Sequence, residues 1–226
     1  MRTFLFILLS TLAGAATHGG TIVGTVHAEG KAEAAESAQG GGKYDSRKFK
    51  FVERVNYQEL QDFVVFIEGK MTNAPPQRPR TFQVITQRDA LFRPHVLPLA
   101  AGSTVEWPNK DEIYHNVFSM SESNPFDLGL YKDPDVKKIE FKNPGRVDVF
   151  CSIHSKMSCV VLVLENSYFS ATDQAGRFKI ENVPAGKYQL KAWHERLPAH
   201  VEEIVVPESG ETRVQFVLGI KGLPQY

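Results

Sequence analysis

The sequence predicts an all-β protein built as Greek-key β-sandwiches. Short apolar runs recur along the chain, separated by turns rich in Gly, Pro, Asn and Asp, which is the spacing of strands joined by tight connections. The composition agrees, with 17 Gly and 13 Pro in 226 residues of which 42% are hydrophobic. That is enough apolar chain for one or two small domains, each with its own core. After residue 16 no run approaches the ~18 apolar residues of a membrane-spanning helix.

The elements follow in order. Residues 1–16 read as an export signal: Arg2 supplies the positive charge, residues 4–16 the apolar core, and Ala13, Gly14, Ala15 and Ala16 the small residues of a cleavage site. Cleavage after Ala15 or Ala16 leaves an exported, periplasmic chain. No Cys near that site can take a lipid and the apolar stretch is short, so no membrane anchor is expected. Residues 21–27 are rich in β-formers, and 29–42 form an Ala/Glu/Gly/Ser linker. The basic run at 43–50 is short, the pattern of a solvated linker. Residues 56–62 are expected as a helical turn and 63–67 as a buried strand. Pro75, Pro76 and Pro79 then mark a boundary.

Strands are expected next at 82–85, 96–99, 104–107, 113–118, 136–141, 147–150 and 160–164. Beyond them, Asp173-x-x-Gly176 and Pro184-x-Gly186 punctuate three more strands. The alternation at 200–206 and 212–218 completes a sheet. Lys plus Arg equals Asp plus Glu at 26 each, so charge points neither to nucleic acid nor to an anionic membrane.

Four side chains carry the chemistry. Cys151-x-x-His154-x-x-Met157 places thiolate, imidazole and thioether donors in one tight loop after Phe150. His115, within Tyr114-His115-Asn116-Val117, offers a second imidazole from another strand. Two His and one Cys in a plane, with a weak axial Met, form the ligand set of blue-copper electron-transfer centres. Thiolate and thioether suit Cu(I), while imidazole suits both oxidation states. Two cysteines in an exported chain also permit a Cys151–Cys159 disulfide, and a vestigial site without metal is a further reading. Against the disulfide, Cys159 opens the apolar run 159–164, where a free Cys behaves as a small hydrophobe. A disulfide also gives no reason for His154 and Met157 to share the loop.

Around these residues the chain resembles the cupredoxins, of plastocyanin and amicyanin type. The resemblance covers residues 81–165: 102–109 is similar to the strand before the first His, and 143–150 to the strand leading to Cys151. It implies that His115, Cys151, His154 and Met157 are the ligands of one copper ion cycling between Cu(I) and Cu(II). It also implies that Asn116 hydrogen-bonds near the Cys151 loop and holds it, a supporting role that commonly tunes a metal. With all four positions supplied by protein, no position is open to a substrate, so an electron carrier is expected rather than an enzyme. His154 is the candidate electron exit, towards a redox partner protein that the sequence does not identify. The same chemistry also fits copper carriage or buffering, which requires release to an acceptor.

Residues 170–190 resemble the carboxypeptidase regulatory-like, or transthyretin-like, module. Its usual opening Gly-x-Val strand and second Val-rich strand are missing from 166–222 and occur instead at residues 24–26 and 63–67. The expected organisation is therefore a signal peptide at 1–16, N-terminal strands and linker at 17–74, a cupredoxin domain at 75–165 and a transthyretin-like domain at 166–226. In this reading the cupredoxin domain is inserted into a discontinuous transthyretin-like one, the simpler arrangement being two tandem domains. The whole pattern also resembles bacterial periplasmic proteins of the methylamine-utilisation-like kind. A third function then arises, a carbohydrate- or protein-binding module on a cupredoxin scaffold.

The remaining histidines carry less. His18 would head the mature chain only if cleavage followed Thr17. His95 can line the metal pocket or be satisfied structurally, and His194 can approach the junction between domains or serve the core.

Overall fold

The computed structural model describes residues 19–30, 56–71 and 83–219. The export signal, His18, most of the linker, the basic run and the proline boundary lie outside the described residues. Two strands come first, β1 (Gly20–Ala28) and β2 (Val64–Ile67), with a single 3-10 turn at Tyr57–Glu59 between them. The helical turn expected at 56–62 is thus only one turn long, opened by Asn56, whose side chain accepts from the Gln58 amide at 3.3 Å.

Ten short strands follow: β3 (Gln83–Val84), β4 (Thr86–Arg88), β5 (Leu91–Arg93), β6 (Val96–Ala100), β7 (Ser103–Pro108), β8 (His115–Ser119), β9 (Phe126–Tyr131), β10 (Val136–Phe141), β11 (Gly145–Phe150) and β12 (Ser158–Leu164). They form a sheet ordered β10-β7-β3, a sheet ordered β6-β12-β11-β8-β9 and the β4-β5 hairpin. Strand alternation turns Val105 and Trp107 of β7, Val147 and Val149 of β11 and Val161 and Val163 of β12 into one core with Ile85, Leu99 and Phe141. The opposite face of β12 presents Val160, Leu162 and Leu164, which pack with Val64 and Val96 and against Phe66, Phe169 and Trp193. Both faces of β12 are therefore covered, which is why it reads as an unbroken apolar run.

The last five strands are β13 (Phe169–Ala171), β14 (Arg177–Val183), β15 (Gly186–His194), β16 (Leu197–Val206) and β17 (Glu211–Leu218). None of them forms its sheet alone. β1 lies between β14 and β17, antiparallel to the first and parallel to the second, and β2 lies between β13 and β15. These two sheets enclose a second core of Ile22, Val26, Phe63, Val65, Ile67, Phe178, Ile180, Leu190 and Phe216.

Polar contacts accompany the shared apolar cluster. His95 Nε2 lies 3.0 Å from Glu195 Oε1, and Arg146 donates to the Glu195 carbonyl at 3.2 Å. The Arg146 guanidinium also stands 5.9 Å from the centre of the Trp193 ring.

Several boundaries differ from expectation. Of the strand expected at 82–85, the described residues show β3 only at Gln83–Val84, and Ile85 lies between β3 and β4 with its amide donating to the Glu106 carbonyl at 3.0 Å. Ile113 and Tyr114 precede β8 and are exposed. The hairpin β4-β5 and the strand β9 have no counterpart in the sequence reading. β9 alternates Phe126, Leu128 and Leu130 with Asp127 and Gly129, a short period-2 pattern that the sequence reading passed over; Phe126 and Leu128 pack against the first core, and Gly129 has φ of +68°.

Gly176 closes the Asp173 turn with φ of +73°, and its carbonyl accepts from the Val26 amide at 2.8 Å. A Cβ there would lie 2.1 Å from the Val26 carbonyl oxygen. Replacing Gly176 with Val is expected to destabilise the β1-β14 sheet by at least the ~1–3 kcal/mol of a left-handed conformation forced on a non-Gly residue. Urea denaturation followed by tryptophan fluorescence checks this, Trp193 lying on β15, whose Leu190 and Ala192 belong to the same core.

Candidate metal centre

β11 ends at Phe150, and the chain from Cys151 to Met157 closes on itself before β12 begins. The Cys151 amide donates to the Met157 carbonyl at 3.1 Å, and the Met157 amide to the His154 carbonyl at 3.0 Å. These bonds hold the two ends of the loop side by side, with Cys151 and Met157 both packed in the first core. His154 sits at the tip, half-buried.

His115 enters from β8 and is fully buried. Its Nδ1 lies 3.1 Å from His154 Nδ1, and Cys151 Sγ lies 3.7 Å from the same His154 nitrogen. The donor atoms of the three residues fall within 4.8 Å of one another. Two imidazole nitrogens and a sulfur thus converge from a strand and a loop on one largely buried point, a donor set suited to a soft or borderline metal such as copper.

A carboxylate stands behind His115. Asp111 Oδ2 lies 2.8 Å from His115 Nε2, and Asp111 also accepts from the backbone amides of Asp89 at 2.8 Å and Ala90 at 3.0 Å. Burial works against its charge, but the amide of Ala90, the His115 ring and the amide of Asp89 outweigh it and hold the carboxyl below its usual value. Asn109, itself buried, shapes the loop that carries Asp111: its side chain accepts from the Asp111 amide at 2.9 Å and donates to the carbonyls of Ile113 at 2.9 Å and Tyr131 at 3.1 Å. Beneath this loop the buried Tyr131 hydroxyl donates to the Trp107 carbonyl at 2.7 Å and accepts from Gln87 at 2.6 Å.

The sequence reading missed Asp111 and Asn109. An Asn-x-Asp step four residues before a candidate ligand is the one local cue, since Asn favours side-chain-to-backbone turns of this type. Asn116 differs from expectation. Its side chain donates to Asp127 of β9 at 2.7 Å and so ties β8 to its neighbour instead of holding the Cys151 loop. Successive strand residues face opposite sides, so with His115 turned into the site, Asn116 turns away.

Both cysteines are free thiols. Cys159 faces Val149 across the β11-β12 ladder and packs in the core, and burial, with a smaller contribution from Asp148, pushes its thiol well above the usual value. Cys159 therefore stays protonated. Replacing Cys159 with Ala is expected to leave Cu(II) uptake and the visible spectrum of the loaded protein unchanged, which absorption spectroscopy with a copper titration checks.

His95 bridges the Ser158 carbonyl, at 3.2 Å, and Glu195 and is not among the three converging donors. His194 is buried against Phe63, ring centres 5.0 Å apart, and accepts from the Arg196 amide at 3.2 Å. Burial lowers its pKa, as for a structural neutral imidazole.

Comparison with known proteins matches residues 154–214 to the family model of polysaccharide lyase family 4, domain II. No curated protein sequence matches the chain. Among solved structures, a copper-containing nitrite reductase from Thermus scotoductus SA-01 aligns over 42% of this chain at 24% identity and a TM-score of 0.36, and this chain spans only 25% of the reductase. An oxidized amicyanin mutant aligns over 35% of this chain and 79% of its own length at 22% identity and a TM-score of 0.34. A purple cupredoxin from Nitrosopumilus maritimus aligns over 37% of this chain and 99% of its own length at 22% identity and a TM-score of 0.33.

Proposed function

We propose that this protein is an exported cupredoxin-type copper protein that carries single electrons between partner proteins. The observation that carries the reading is the convergence of His115 Nδ1, His154 Nδ1 and Cys151 Sγ on one point of the first core. Met157 is the fourth donor in this reading, supported by its burial beside Cys151 and by the backbone bond between them. Bound copper would supply a centre that alternates between Cu(II) and Cu(I).

The chain's own residues do the rest. Cys151 provides the thiolate, and the loop bonds from Cys151 to Met157 and from Met157 to His154 keep the three loop donors in register. His115, locked on a strand and against Asp111, fixes the site from the other side. Because these elements belong to a packed sandwich, the donors need little rearrangement when the charge of the centre changes. His154 is the exit for the electron: it is the one of the four that is half-exposed, and its neighbour Ile153, with Ile113 and Tyr114 beside His115, is an exposed apolar or aromatic side chain. With four side-chain donors no position remains for a substrate, so the protein is a carrier and not an enzyme.

The domain reading belongs to the same proposal. Residues 75–165 form the cupredoxin unit, and residues 17–74 and 166–226 together form one discontinuous transthyretin-like unit into which it is inserted. Its support is the position of β1 between β14 and β17 and of β2 between β13 and β15.

The test is a Cu(II) titration of the metal-free mature protein. Saturation at one equivalent with an intense thiolate-to-copper band in the visible, bleached reversibly by one electron per protein, is the expected result. Saturation without that band, or copper uptake accompanied by loss of both thiols, overturns the reading.

A further inference from the structure

We propose that Asp111 is a positioning residue of the metal centre: its carboxylate selects the His115 tautomer that presents Nδ1 to the metal and favours the oxidised state of the loaded protein. The inference rests on the copper reading above and extends it to a residue outside the ligand set.

The two nitrogens of His115 face different partners. Nδ1 faces His154 at 3.1 Å and belongs to the donor cluster. Nε2 faces Asp111 Oδ2 at 2.8 Å. A neutral imidazole carries one proton, and only the form with that proton on Nε2 satisfies both sides, donating to the carboxylate and leaving the Nδ1 lone pair for a metal.

The carboxylate is held by contacts of its own besides the ring. It accepts from the Asp89 and Ala90 amides, in a turn where both residues have positive φ, 58° and 52°. The Asp111 amide in turn donates to Asn109. Backbone donors therefore hold the acceptor in place opposite a ring that β8 itself fixes. The lysines nearby are engaged elsewhere, Lys110 with Asp133 at 3.7 Å and Lys132 over the Tyr114 ring at 5.1 Å.

A carbonyl in this place would offer a partial charge, whereas Asp111 offers a full one. Negative charge passed through the hydrogen bond makes Nδ1 a stronger donor, and a stronger donor favours Cu(II) over Cu(I). The consequence is a lower reduction potential and tighter Cu(II) binding than His115 alone would give.

The test compares the copper-loaded full chain with Asp111→Asn and with Asp133→Asn, a control that removes a nearby exposed carboxylate not bonded to His115. For Asp111→Asn the midpoint potential is expected to rise and the Cu(II) dissociation constant to increase about 10–100-fold, with the thiolate band retained. Asp133→Asn should leave both at the wild-type values. An unchanged potential in Asp111→Asn, or an equal shift in both variants, overturns the proposal.

Should Asp111→Asn not fold, nitrogen-15 NMR of the wild-type protein loaded with Cu(I) decides. A slowly exchanging proton on His115 Nε2 supports the role, and a proton on Nδ1 or a rapidly exchanging one overturns it. A wild-type protein without the thiolate band takes down the copper reading and this inference together. A wild-type protein with the band and a potential indifferent to Asp111 sinks only the inference.

Discussion

Replacing Cys151 with Ser is expected to abolish the thiolate-to-copper absorption completely while leaving the fold in place. Serine is close in size to cysteine, and the loop is closed by backbone bonds between residues 151, 154 and 157 that do not involve the sulfur. What disappears is the only thiolate donor, because Cys159 is buried in the core as a protonated thiol. Two imidazoles and a thioether can still attract copper, but they cannot give a sulfur-to-copper charge transfer of comparable intensity.

Met157→Leu provides the contrast. A Met-to-Leu change conserves volume and usually costs less than about 1.5 kcal/mol, and an axial thioether is a weak donor. The band should therefore survive at a shifted potential. Absorption spectra of the loaded variants measure both, and a band that persists in Cys151→Ser would remove Cys151 from the site.

The second large effect falls on the other core. Ile22 is fully buried among Phe178, Ile180 and Phe216, which lie more than 150 residues away in the chain. Truncation to Ala leaves a cavity, and such changes cost about 2–5 kcal/mol. The expected result is that Ile22→Ala lowers the melting temperature of the unit formed by β1, β2 and β13–β17 while the visible band of the loaded protein persists to higher temperature. Differential scanning calorimetry run beside absorption resolves the two events. If the band and the heat of unfolding vanish in one transition, unmoved by Ile22→Ala, the two units do not behave as separate folding bodies and the insertion reading falls.

Some of this was legible in the sequence because it is local. Val147 and Val149 alternate with Arg146 and Asp148 as sheet geometry demands, residues 159–164 form one apolar run, and the Cys151 loop brings its three donor types together within seven residues. The β4-β5 hairpin was not legible, since strands of three residues are too short to show a period, whereas β9 was overlooked although Phe126, Leu128 and Leu130 alternate with Asp127 and Gly129. The bonding of Asn116 was misjudged for a different reason. A residue's place in sequence next to a ligand says little about its partner when neighbouring strand residues point to opposite faces.

By itself the sequence determined the β class, the turns at Asp173 and Pro184 and the donor loop from Cys151 to Met157, because each depends on residues a few positions apart. His115 joined that loop only as a candidate, through its residue type and the resemblance, its distance of 3.1 Å from His154 coming from the fold, and tertiary structure alone decided that Asp111 backs His115 and that β1 runs beside β17. Sheet hydrogen bonds join strands without regard to their separation in the chain, and a side chain's partner across a sheet leaves no mark on its own neighbours in sequence. Packing of the complete chain, which selects one register among many, supplies that information.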